Sequence, residues 1–191
     1  RDSALPAPVG GGGLALQHEA FLVRPDGGAD HLGRDVEEAL LERSHQADRP
    51  LDEASDLART WAEQALATGD VPVGAVVIGP DGQVLGRGWN RREAEGDPLA
   101  HAEVVAMRAA AAVRGGWRLE DCALAVTLEP CLMCTGAIIH ARLARVVYGA
   151  AEPRSGMVES RANLFAQPWY NHRVEVVGGV LAPRIAKHLK A

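Results

Sequence analysis

The sequence predicts an α/β fold: one mixed sheet of about five strands with helices on both faces. Three observations predict it. An apolar, β-branched run is followed by a Gly-Pro-Asp-Gly turn and a second strand-like run, which together make a hairpin. Beyond that hairpin, segments of helical and strand periodicity alternate to the end of the chain. Finally, 191 residues that are 47% hydrophobic and 24% charged are enough to bury one principal core without disulfides.

Residues 1–13 are mostly Pro, Ala and Gly, ending in Gly10-Gly11-Gly12-Gly13, and read as a flexible tail or linker. Leu14 to Val23 suggests a short strand, Pro25-Asp26-Gly27-Gly28 a turn, and Asp35 to Arg43 a helix, before Pro50 interrupts. Residues 1–51 carry five basic and nine acidic side chains, against 15 and 16 in residues 52–191, so an acidic N-terminal extension precedes a nearly neutral domain. From Asp52 onward, Leu57, Trp61 and Ala65 recur every fourth residue and Gly69-Asp70 closes the stretch, giving an amphipathic helix. Val73 to Ile78 is a strand, Gly79-Pro80-Asp81-Gly82 the turn, and Gln83 to Trp89 the returning strand. After Asn90 come a polar loop, a helix from about His101 to Val113, a strand Ala123 to Leu128, a helix from about Leu132 to Ala141 and a strand Arg145 to Tyr148. A short helix around Glu159 to Phe165, a strand Arg173 to Val177 and a final helix from about Pro183 complete the chain.

Composition narrows the function classes. No apolar run approaches the roughly 20 residues that span a bilayer, and no basic segment precedes an apolar one at the N-terminus, so the chain reads as cytoplasmic with no membrane partner. The cysteines, Cys122, Cys131 and Cys134, cannot all pair, which suits a reducing compartment where thiols hold metals or do chemistry. Cys122, just before a strand, reads as a small core residue. A net charge of −5 does not demand nucleic acid. Residues 140–191 nevertheless hold eight basic groups (Arg142, Arg145, Arg154, Arg161, Arg173, Arg184, Lys187, Lys190) against Glu152, Glu159 and Glu175. They form either a phosphate-facing surface or a solvated face scattered over several elements.

Two short motifs carry the chemistry, His101-Ala102-Glu103 and Pro130-Cys131-Leu132-Met133-Cys134, each at the start of a predicted helix. Unpaired N–H groups and partial positive charge at a helix N-terminus favour thiolate over thiol. The two helices are expected to follow adjacent strands, so that one imidazole and two thiolates meet at the strand ends, where open α/β sheets place their ligands. Three protein ligands leave zinc a fourth tetrahedral position for water, the arrangement of a catalytic rather than a structural site, and bound water is acidified to a pKa of about 7. Glu103 lies near enough to move protons without serving as a ligand. Taken singly, a histidine opening a helix is usually a cap, and Cys131 with Cys134 reads equally as a redox pair. Together, with 27 residues between Glu103 and Cys131, they make the H-x-E…P-C-x-x-C signature of zinc nucleobase deaminases, enzymes of hydrolytic deamination.

From about Asp52 to Lys187 the chain resembles the bacterial tRNA-specific adenosine deaminases of the cytidine and deoxycytidylate deaminase-like superfamily. The matching runs are Asp70-Val71-Pro72-Val73-Gly74-Ala75-Val76, Asn90, Asp97-Pro98 leading into Ala100-His101-Ala102-Glu103, Val126 through Cys134, Gly136 through Arg142, Val146-Val147-Tyr148-Gly149-Ala150 and Asn171-His172-Arg173-Val174-Glu175. The resemblance implies a three-layer α/β/α cytidine-deaminase-like fold, Zn²⁺ on His101, Cys131 and Cys134, and Glu103 as catalytic proton shuttle. It also implies that Asn90 hydrogen-bonds the base, that the protein is a homodimer, and that the wobble adenosine of a tRNA anticodon loop becomes inosine. After Gly149-Ala150 the family usually continues with an arginine, an aspartate that meets the ribose, and a lysine; here stand Ala151, Glu152 and Arg154, with Pro153 stiffening the loop. Glu152 is accordingly the expected ribose contact, one methylene longer.

Two other readings compete. A free purine or pyrimidine substrate (guanine, cytosine or adenosine) would call for a capped pocket, with residues 1–51 or the C-terminal helix as lid. A scaffold kept for binding without turnover is opposed by the presence of Glu103 and all three ligands. The tRNA reading expects a basic surface beside the pocket, built from the 140–191 cluster.

Overall fold

The computed structural model describes residues 52–189; the strand, turn and helix expected within 1–51 lie outside the described residues. Helix α1 covers residues 52–66. The strands are β1 (Gly74–Ile78), β2 (Val84–Trp89), β3 (Ala123–Leu128), β4 (Arg145–Ala150) and β5 (Glu175–Val177). The further helices are α2 (Arg92–Glu95), α3 (Ala102–Arg114), α4 (Leu132–Ala141) and α5 (Ala182–His188). The sheet order is β2-β1-β3-β4-β5. β1 is antiparallel to β2 and β3, while β3, β4 and β5 run parallel. The sheet is therefore mixed and five-stranded, as the periodicity predicts.

Alternation along the strands sends side chains to two separate cores. On one face Ala75, Val77, Leu124, Val126 and Val146 pack with Ala106, Ala110 and Ile138 of α3 and α4. On the other, Val76, Ala125 and Val147 pack with Ala54 and Ala58 of α1. α5 joins that second layer: Ile185 lies over Gly149, and Arg184 donates to Asp56 of α1 at 3.1 Å. Small residues set the layer spacing. The sheet-facing stripe of α1 is Ala54, Ala58, Ala62 and Ala65, all buried, and a Cβ added at Gly74 would stand 2.0 Å from the Ala58 carbonyl oxygen.

Three expectations are corrected. The strands that precede α3 and α4 are not neighbours, because β1 lies between β2 and β3. The first strand of the hairpin pairs on both of its edges, with Ala75 opposite Gly88 on one side and Val126 on the other. The region around Glu159 to Phe165 is a series of turns rather than a helix. The Leu164 N–H reaches back to the Met157 carbonyl, and the amides of Val158, Glu159 and Ser160 point at the Glu129 carboxylate, so the i to i−4 ladder does not form. β5 begins at Glu175, two residues later than expected, where the Glu175 N–H first meets the Ala144 carbonyl. The loop after Asn90 also contains the short helix α2, and β4 continues to Ala150.

With β1 inserted, α3 reaches the site only by lying flat on β2. A Cβ at Gly86 would be 2.2 Å from the Ala106 carbonyl oxygen, and one at Gly88 2.2 Å from that of Ala102, both helix backbone. Overpacking of this kind costs about 1–3 kcal/mol. Gly88→Ala is expected to lower the unfolding free energy by that amount, measured by urea unfolding; an unchanged free energy would disprove the close-approach requirement.

Candidate active site

Each of the two motifs supplies the residue that precedes a helix. His101 is the N-cap of α3 (φ −74°, ψ 148°) and Cys131 that of α4 (φ −76°, ψ 176°), so both enter their helices from extended backbone. Neither side chain caps its own helix, which leaves the imidazole and the thiol free for other partners. At α3 the capping duty falls to a residue from outside the helix. Asn90 Oδ1 accepts from the Ala102 N–H at 3.0 Å, and Asn90 Nδ2 donates to the Val71 carbonyl at 3.1 Å.

His101 Nδ1 lies 3.7 Å from Cys131 Sγ and 3.6 Å from Cys134 Sγ, and the three donor atoms lie within 4.8 Å of one another. Tetrahedral zinc, with Zn–S about 2.3 Å and Zn–N about 2.0–2.1 Å, sets sulfur and nitrogen about 3.5 Å apart. The donor set and its spacing fit that ion. Cys122 plays no part: its thiol is buried beside Asp121 Oδ1 at 3.4 Å, and burial pushes it up to about 11.

Charge at the site follows from these contacts. The Cys131 thiol is lowered to about 4, first by the hydrogen bond from Cys134, against the opposing effect of burial, and then by His101. Cys134, fully buried, is pushed up by its hydrogen bond to Cys131 and by burial. The same Cys131 contact raises His101, with burial opposing it. Glu103 is 4% exposed, and burial raises its carboxyl above the usual range.

The donors face a cavity of about 190 Å³ lined by Asn90, Arg92, His101, Glu103, Glu129, Cys131, Glu152, Arg154 and Ser155, with Val71, Val73 and Leu128 as its apolar walls. Of the six residues singled out from the sequence, Asn90, His101, Glu103, Cys131 and Glu152 line it, and Cys134 lies against His101 and Cys131 behind the wall. Glu152 is oriented by its own loop: its Oε1 accepts from the Arg154 N–H at 2.9 Å. Sites for drug-sized ligands occupy roughly 300–1,000 Å³, so this cavity suits a single ring system.

The 140–191 basic cluster does not gather at the cavity. Arg145 pairs with Glu175 at 2.8 Å, Arg184 with Asp56, and Arg142 bonds Asn171; among the described residues only Arg154 of that group lines the cavity. Arg92, from α2, is the second cation there. Sequence reasoning missed Arg92 and Glu129. The available signal for Glu129 was a charged residue closing an otherwise apolar strand, directly before Pro130-Cys131. The Glu129 carboxyl is 3% exposed; burial alone would raise it, but hydrogen bonds from the Ser160 hydroxyl and from the backbone of Ser160, Glu152 and Glu159 hold it at about 2.

Asn90→Ala would orphan the Ala102 N–H and leave the Val71 carbonyl with the Val73 N–H as its remaining donor. A loss of about 1–3 kcal/mol is expected, the cost of buried groups without partners, read from chemical denaturation; a neutral result would mean that water replaces the amide.

Comparison with known proteins gives a consistent set. The model of the cytidine and deoxycytidylate deaminase zinc-binding region matches residues 49–150. A tRNA-specific adenosine deaminase of Haemophilus influenzae is 43% identical over 128 residues, covering 67% of this chain and 74% of that protein. A tRNA(Ile)-lysidine synthase of Deinococcus radiodurans is 46% identical over 141 residues, 74% of this chain, but the match spans only 24% of that longer protein. A solved structure from work on A-to-I editing by tRNA:A34 deaminases at the wobble position superposes with a TM-score of 0.68 at 40% identity, covering 71% of this chain and 98% of the other.

Proposed function

Because the chain belongs to the tRNA-specific adenosine deaminase family, within the zinc-binding cytidine and deoxycytidylate deaminases, we propose that it converts adenosine to inosine at the wobble position of a tRNA anticodon loop. The observation that carries the reading is the convergence of His101, Cys131 and Cys134 at the wall of one base-sized cavity that a buried Glu103 also lines. In this proposal residues 52–191 form the catalytic domain. His101, Cys131 and Cys134 hold zinc, which when bound supplies a Lewis acid that makes water nucleophilic at neutral pH.

The chain's own residues do the rest. Water adds at C6 of the adenine, the C6–N6 bond breaks, and ammonia leaves as a C6 carbonyl forms. Glu103 accepts one proton from the attacking water and delivers it to the ring nitrogen, then takes the proton of the new C6 hydroxyl and passes it to the departing amine, a role that fits a carboxyl held in the cavity but outside the donor set. Asn90 hydrogen-bonds the base with the polar capacity left over from its two internal bonds, and Glu152 meets the ribose. Val71, Val73 and Leu128 flank the ring. Arg92 and Arg154 are placed to accompany the phosphates on either side of an extruded nucleotide. Among the described residues no part of α5 lines the cavity, which favours an open pocket reached by a polynucleotide over one capped by the C-terminal helix.

The same reading makes the protein cytoplasmic and homodimeric. In favour of the dimer, α3, α4 and the loop after α3 line a groove containing Val104, Met107, Trp117 and Ala137.

The direct test offers the zinc-loaded protein an anticodon stem-loop with a wobble adenosine beside a panel of free bases and nucleosides, with products read by mass spectrometry. Inosine in the stem-loop alone is expected; turnover of a free base or nucleoside with untouched RNA would overturn the substrate assignment. Glu103→Gln is expected to keep its zinc and lose turnover by several orders of magnitude, whereas Cys131→Ala or Cys134→Ala loses the metal; near-normal rates in Glu103→Gln would refute the proton-transfer role.

A further inference from the structure

Glu129 carries a buried charge that the reaction itself does not use. It follows β3 directly, its carboxylate is 3% exposed, and it has no cationic partner among the described residues. Five donors from one loop converge on it instead. Oε1 accepts the N–H groups of Val158 (3.1 Å), Glu159 (2.7 Å) and Ser160 (2.9 Å), and Oε2 accepts the Glu152 N–H (3.0 Å) and the Ser160 hydroxyl. A carboxylate is the only side chain that presents acceptors alone on both branches, so it satisfies both groups of donors at once. Gly156 makes room for it: a Cβ there would stand 2.3 Å from the carboxylate.

The loop so gathered, residues 152–160, is also laid against the turn that carries Cys131. The Met157 N–H donates to the Pro130 carbonyl at 2.9 Å, and Gly156 bridges Cys131. That loop contributes Glu152, Arg154 and Ser155 to the cavity. One carboxylate thus ties the wall expected to meet the ribose and phosphate to the turn that presents a metal-ligand cysteine.

We infer that Glu129 is a positioning residue for substrate recognition, acting through Glu152 by winding the 152–160 loop around its carboxylate. The inference rests on the deaminase reading above. It requires a charged acceptor at this point rather than a polar one. An amide in its place turns an N–H₂ group toward converging N–H or O–H donors, which forces that branch of the loop away. The loop then no longer holds Glu152 in register with the base pocket, while β3, α4 and the donor set keep their own backbone contacts.

The test uses Glu129→Gln, Glu152→Ala and the double variant on the zinc-loaded full chain, with the anticodon stem-loop as substrate. Glu129→Gln is expected to retain one zinc, to raise KM about tenfold or more and to change kcat by less than threefold. Glu152→Ala is expected to do the same, and the double variant to be no worse than either alone. Effects that multiply, or a loss falling on kcat or on zinc content, would overturn the inference. Independently of activity, amide hydrogen exchange of Glu152, Val158, Glu159 and Ser160 should quicken at least tenfold in Glu129→Gln while that of β3 and α4 stays unchanged; unchanged exchange in the loop would overturn it. Should Glu129→Gln fail to fold, Ser160→Ala removes a single donor and is expected to raise KM about threefold with zinc intact; no change in KM would refute the inference. An inactive wild type would defeat the deaminase reading, whereas an active wild type with an unaltered KM in a folded Glu129→Gln defeats this one.

Discussion

The arrangement depends on bringing two helix N-termini to one point at the strand ends of a sheet although the strands that precede them are not adjacent. β1 separates β2 from β3, so α3 must lean across β1 to bring His101 to Cys131. Its backbone gets there by resting directly on β2, where Gly86 and Gly88 leave space that any Cβ would fill. The facing side of the helix is correspondingly small: Ala102, Ala106 and Ala110 are all fully buried. Interiors pack at near-crystalline density, and no larger residue fits this approach without moving the helix and with it the imidazole.

Using the N-cap residues as metal donors creates a second problem, because residues that normally satisfy the first helical amides are spent on other work. At α3 the structure solves it with a group from elsewhere in the chain: Asn90, directly after β2, accepts the Ala102 N–H through Oδ1 and is itself held by donating to the Val71 carbonyl.

The two walls of the cavity are built on one principle. Asp70, 5% exposed, accepts the Glu93 and Ala94 N–H groups and so anchors α2, which carries Arg92. Glu129 does the same for the loop that carries Glu152 and Arg154. In both cases a buried carboxylate is compensated by backbone dipoles rather than by a cation. The Arg92 side chain is therefore not consumed in holding these walls together, while Arg154 lies 3.8 Å from the Glu152 carboxylate on its own loop.

The clustered histidine and cysteines, the buried glutamate beside them and nearly every regular element are legible in the sequence because their signals are local. Histidine with glutamate two residues on, and cysteines three apart behind a proline, state their chemistry within a single turn, and β-branched runs and alanine-rich periods state their conformation in the same way. What only the tertiary structure decided was non-local. The position of β1 between β2 and β3 follows from pairing on both of its edges, which no hairpin signal encodes. The 159–165 segment forms no helix because its first amides, those of Glu159 and Ser160, are satisfied by a carboxylate some 30 residues earlier in the chain. The basic residues of 140–191, contiguous in sequence, were dispersed by partners such as Asp56, 128 positions from Arg184. Local conformation is governed by neighbours a few bonds away, whereas hydrogen-bond partners across the fold are chosen by packing, and packing leaves no short-range pattern to read.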